Sequence, residues 1–100
     1  MKVLAILTLK PDANPDAVRS EIAHEIRGSW TLYASGTLRE VYATELPTRV
    51  VFVMEAANVA DAEHHLQPLP LVQAGMFQIE FLELRPFANW STLFRADQDF

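Results

Sequence analysis

Few side chains in this chain have the chemistry to act on a small molecule, and the best of them lie in its first half. Glu25 comes first. It sits three residues after Ile22 and four before Ser29, at the edge of an apolar helical stripe. A carboxyl at such a rim loses solvation, so its pKa rises and it can exchange a proton near neutrality. The alternative is a boundary glutamate whose head reaches water or pairs with Arg39. Arg39 is the second candidate. Its planar guanidinium suits a carboxylate, although a strand-edge charge in solvent is an equally ordinary use. His64 and His65 are neighbours on a helix and diverge by about 100°, so they cannot share a metal. His65, three residues after Ala62, lies nearer the buried side and is the candidate base. A histidine near a helix C-terminus is also favourable for the dipole alone. Trp30, Tyr33 and Tyr42 can line a pocket for a flat ligand, or can simply be core.

Other chemistries have no residues to carry them. The chain has no cysteine, so disulfides, thiolate nucleophiles and Cys-ligated metals are excluded. It has no Gly-rich phosphate loop, no nucleophile-elbow serine and no His-x-x-x-His pair. No metal, flavin or nucleotide is expected. The formal net charge of −5, with no basic cluster, disfavours nucleic acid and anionic membrane surfaces. No run reaches the ~18 apolar residues of a membrane span. Met1–Leu7 is too short an apolar run for a signal peptide before Lys10-Pro11-Asp12. A cytoplasmic protein is the expectation.

The elements that must position these residues follow from pattern. One hundred residues, half of them hydrophobic, make one domain with a single small core. Lys2–Leu9 is a strand, apolar on both faces. Asn14 and Pro15 start a helix that runs to about Ala34 and stops at Gly36. Its buried stripe is expected to be Val18, Ile22, Ile26, Ser29, Trp30 and Tyr33. Leu38–Glu45 and Arg49–Glu55 form an antiparallel hairpin, the second strand again apolar on both faces. Asn58 caps a second helix with a Val59, Ala62, Leu66, Leu69 stripe, ended by Pro68 and Pro70. The chain then turns through Leu69-Pro70-Leu71. Met76–Leu84 is a fourth strand, with Phe77, Ile79 and Phe81 on one side and Gln78, Glu80 and Leu82 on the other. Residues 85–100 form an aromatic tail, with Phe87, Trp90, Leu93 and Phe94, and a frayed polar end from Arg95.

The order β-α-β-β-α-β is the ferredoxin-like α+β pattern, a four-stranded antiparallel sheet with both helices on one face. Helices on one face leave the other face of two doubly apolar strands open. A second copy of the chain, packed sheet to sheet, would close it. A homodimer or higher homo-oligomer is therefore expected, with the aromatic tail reaching the partner and Gln78 and Glu80 bonding across the interface.

Gly36-Thr37-Leu38-Arg39-Glu40-Val41-Tyr42, the run VVFVMEAANVADAEHHL, and Leu69-Pro70-Leu71 ahead of the last strand resemble the muconolactone isomerase family. The resemblance spans roughly residues 19–84. It implies a dimeric α+β barrel and a cofactor-free proton shift on a small carboxylated lactone or cyclic ketone. One acid/base group and one cation for the substrate carboxylate would suffice. Arg39 matches the family's arginine after Gly-Thr and would hold the carboxylate; Glu25 or His65 would move the proton. The tail and the Glu45-Leu46-Pro47 hairpin depart from the family pattern. Two other readings stand beside it: a non-catalytic dimeric module that binds a small metabolite or a partner protein, and a cofactor-independent monooxygenase of the same fold.

Overall fold

The computed structural model describes residues 1–95; the polar end expected beyond Arg95 lies outside the described residues. The elements are β1 (Lys2–Leu9), α1 (Pro15–Ala34), β2 (Leu38–Glu45), β3 (Thr48–Glu55), α2 (Val59–Leu66), α3 (Pro70–Gln73), β4 (Phe77–Leu84) and a 3-10 helix (Ala88–Phe94). The strands form one antiparallel sheet in the order β2-β3-β1-β4. This is the ferredoxin-like α+β fold, with the helices packed on the sheet.

Local chemistry fixes each helix. The Asn14 side chain accepts from the N–H groups of Asp16 and Ala17, and Pro15 takes the first helical position. α1 ends in a Schellman motif: Gly36 N–H donates to Tyr33 O and Thr37 N–H to Leu32 O. Gly36 sits at φ +87°, which only glycine adopts without strain. Asn58 accepts from Asp61 N–H, and the Asp61 carboxylate accepts from Ala57 N–H, a reciprocal cap for α2.

Pro70 does not merely end α2. It occupies the first position of the short helix α3, which also closes through a glycine, Gly75 at φ +71°. The expected turn at Leu69-Pro70-Leu71 is thus a helix start. Proline forbids continuation of the preceding helix but suits the opening of a new one.

The core lies between the sheet and the helices. Val3, Ala5 and Leu7 of β1, Leu38 of β2, Phe52 and Met54 of β3, and Ala62, Leu66 and Leu69 are buried together. Each large side chain here is worth about 1.5–3 kcal/mol in burial. Cross-strand pairing Leu7↔Ile79 and Ala5↔Phe81 puts Ile79 and Phe81 on this same face. Gln78, Glu80 and Leu82 fall on the other, as the alternation predicts.

The helix-free face carries Leu4, Ile6, Val51 and Leu82. Its central strands are half-buried and Leu82 is exposed. No helix among the described residues is long and apolar enough to cross a membrane.

One expectation is overturned. The stripe on α1 does not form the core: Ile22, Ile26, Trp30 and Tyr33 are exposed, Trp30 at 65%. The buried side of α1 instead follows Glu25, Gly28 and Leu32. The cause is a close approach. A Cβ at Gly28 would lie 2.7 Å from Leu69 Cδ2, so only glycine lets α1 settle this near the α2–α3 corner. That close contact favours this rotation of the helix. The apolar stripe is left turned by about a quarter turn, over the β2 edge.

Candidate functional site: an apolar cavity around Glu25

Among the described residues Glu25 is the one buried residue of α1, 8% exposed, rather than a residue at the rim. Its Oε2 accepts the backbone N–H of Leu71 at 3.0 Å, which ties α1 to α3. No arginine reaches it; the expected alternative of a pair with Arg39 does not form. Burial pushes the carboxyl above the ordinary glutamate range, and the Leu71 N–H pulls it part of the way back. Among the described residues no buried side-chain nitrogen or oxygen lacks a hydrogen-bond partner. The carboxyl is therefore satisfied as it stands, and Glu25 lines a cavity.

That cavity lies between α1 and the sheet and measures about 310 Å³. Among the described residues Glu25 is the only ionisable carboxyl on its wall. Leu7, Ile22, Ile26, Val41, Val50, Phe52 and Phe77 supply most of the rest, with Ser29 and the β2 edge at Tyr42-Ala43. A single carboxyl in such a lining has a desolvated environment for proton transfer and few polar groups to compete with a ligand.

A shallower groove of about 540 Å³ adjoins it on the outer side of α1. Trp30, Tyr33, Arg39 and Glu40 line this groove. Ile26, Ser29, Val41 and Tyr42 belong to both, so they form the partition between them. Trp30 and Tyr33 stack with ring centroids 5.5 Å apart. These two, expected either in a ligand pocket or in the core, border the groove and are exposed.

Arg39 owes its place to a β-bulge. Leu38 pairs with Met54 and Glu40 with Val53, so Arg39 is an extra residue with no partner on β3. Bulges re-aim side chains, and this one sits on the wall of the groove. Glu25 and Arg39 thus border adjoining compartments rather than one. Tyr42 pairs with Val51, which puts it on the helix-free face with Glu40; its hydroxyl donates to the Glu40 carboxylate. That bond holds the Tyr42 hydroxyl above its ordinary pKa.

His65 is not part of this arrangement. It lies on α2, 3.5 Å from Asp61, and borders neither the cavity nor the groove. Among the described residues no three His, Asp or Glu side chains gather into a metal-binding group.

Two contributors carried no signal in the sequence: Leu71 donates to the carboxyl, and Phe77 lines the cavity. A lone glycine inside a long helix permits a close backbone approach, and Gly28 is where α1 meets Leu69. No protein-family model matches the chain, and no curated protein matches it at a significant level.

Proposed function

We propose that this protein is a muconolactone isomerase-like enzyme: a cofactor-free, homodimeric isomerase that moves a proton within a small carboxylated lactone or cyclic ketone. The observation that carries the reading is the buried Glu25 carboxyl with its raised pKa on the wall of an otherwise apolar cavity. The cavity volume is at the small end of ligand sites, which suits a single ring. Glu25 takes the proton from a ring carbon next to the carbonyl and returns it at another, so nothing is gained or lost overall. Arg39 holds the substrate carboxylate on the groove side of the partition, where its bulge-directed guanidinium is exposed to the incoming anion. The ring then crosses between Ile26 and Val41 into the cavity. His65 has no role in this scheme.

The helix-free sheet face and the tail support the homodimer. Leu82 and Leu84 on that face are exposed, and so are Phe87, Trp90, Leu93 and Phe94.

Deuterium incorporation tests the chemistry. Small carboxylated lactones and cyclic ketones are incubated with the protein in D2O and followed by NMR. The expected result is solvent deuterium at a ring carbon, reduced by about 10²-fold or more in Glu25→Gln. Arg39→Ala should raise KM more than it lowers kcat. Exchange that Glu25→Gln leaves unchanged would overturn the assignment. Substrate-dependent oxygen consumption would point to the monooxygenase reading, and tight binding without exchange to the non-catalytic one.

A further inference from the structure

Residues 86–94, PFANWSTLF, carry no charge and four large apolar side chains. All four are exposed: Phe87 63%, Trp90 68%, Leu93 50% and Phe94 84%. The molecule is correspondingly long, 62 × 29 × 20 Å. Helix α1 accounts for only about 30 Å at 1.5 Å per residue and an eight-residue strand for less. The tail is therefore an extension beyond the body. With aromatic side chains of 150–250 Å² each, it presents on the order of 500 Å² of apolar surface. A stable interface needs about 800 Å² from each partner, so the tail would supply a large share and the sheet face the remainder.

Strand order and direction say where the tail of a second copy would arrive. Lys2 pairs with both Glu55 and Leu84, and Leu38 pairs with Met54. The end of β4 and the start of β2 are thus at the same end of the sheet, on opposite edges. Two copies packed through their helix-free faces about a two-fold axis parallel to the strands exchange edges but keep ends. The partner's β4 then lies against β2. The partner's tail leaves its sheet beside Leu38 and Arg39, at the mouth of the outer groove. A two-fold axis across the strands would send it to the far end instead.

We infer that the aromatic tail of one copy docks in the α1–β2 groove of the other, so that each site is completed by its partner's Phe87, Trp90 and Phe94. This rests on the homodimer proposed above. The groove suits the occupant: Trp30, Tyr33, Ile26 and Val41 offer an aromatic and aliphatic wall, and the tail has no charge to desolvate. Docking covers the stripe that α1 leaves outside the core, and roofs the groove beside the Glu25 cavity. The tail thereby shields the cavity from water.

Because the chain has no cysteine, introduced thiols report contacts without background. Tyr33→Cys and Phe94→Cys are placed in separate full-length chains with different tags, coexpressed and mildly oxidised. The expected product is a disulfide-linked dimer carrying both tags, several-fold above the same-tag products. Arg39→Cys with Phe87→Cys forms a second, independent pair should either first variant fail to fold. A dimer by light scattering without mixed-tag crosslinks for either folded pair overturns the docking and leaves the dimer standing. A monomer by light scattering overturns both at once. Tyr33→Cys and Phe94→Cys in one chain giving only an internal disulfide would place the tail in its own groove, also against the inference.

Discussion

α1 and α2 begin alike and bury opposite things. Each opens on an asparagine whose side chain accepts the first free backbone N–H groups. In α2 the apolar stripe and the buried face coincide: Val59 packs at the edge of the core, and Ala62 and Leu66 are fully inside it. In α1 they do not. The buried face carries a carboxyl and a glycine, and the large apolar residues look outward. A helix that turns its apolar stripe away from its own core is covering something other than the core. For α2 that stripe is structural. For α1 it is the wall of a cavity and a groove, and the proposed seat of a partner's tail.

The largest test of this contrast is Leu66→Ala. It should cost about 2–5 kcal/mol in chemical unfolding, because it empties a fully buried position. A cost below 1 kcal/mol would mean α2 is not the core helix described. Removing the caps should treat the two helices equally: Asn14→Ala and Asn58→Ala are each expected to lose about 1 kcal/mol. A marked inequality would show that one helix start is held by tertiary contacts instead. Gly28→Ala gains about 1 kcal/mol in helix propensity but forces a methyl against Leu69 at a cost of about 1–3 kcal/mol. The expected net is a loss of about 1 kcal/mol, together with a change in the near-ultraviolet signal of Trp30 as α1 rotates. A gain in stability would sink the close-approach account.

The smallest effect at any one pH, and the most specific, is that of Glu25→Gln. The folded-state pKa of Glu25 is raised by burial. Below the unfolded-state value both states are protonated and the contribution to stability is complete. Between the unfolded and folded values only the folded chain holds the proton. Stability therefore falls as pH rises through that window and levels off above the folded pKa. Glutamine keeps an oxygen for the Leu71 N–H and has no proton to lose. Thermal unfolding across pH should show this fall in the difference between wild type and Glu25→Gln, which cancels the opposite slope of Glu55, whose carboxyl the N-terminal amine holds below the ordinary range.

Much of this fold was legible in the chain. A run apolar on both faces marked β1, alternation marked β4, the Asn14-Pro15 pair and Gly36 bounded α1, and Asn58 opened α2; the order of elements then selected the topology. The site was legible only in part. Glu25 could be singled out because it fell near an apolar stripe, but its depth could not be read. Which side of α1 faces inward depends on Gly28 meeting Leu69, 41 positions away, and periodicity carries no record of that contact. The bulge at Arg39 was hidden for the same reason, since it exists only relative to the register of β3. His65 looked eligible by its position on α2, yet that position faces Asp61 and not the cavity.

The most direct test of the central claim is a side-chain carboxyl 13C titration of the isotopically labelled protein, with Glu25 assigned by comparison with Glu25→Gln. The Glu25 resonance is expected to titrate above the ordinary glutamate value of ~4.3. A Glu25 that titrates at or below that value would contradict a desolvated carboxyl poised for proton transfer.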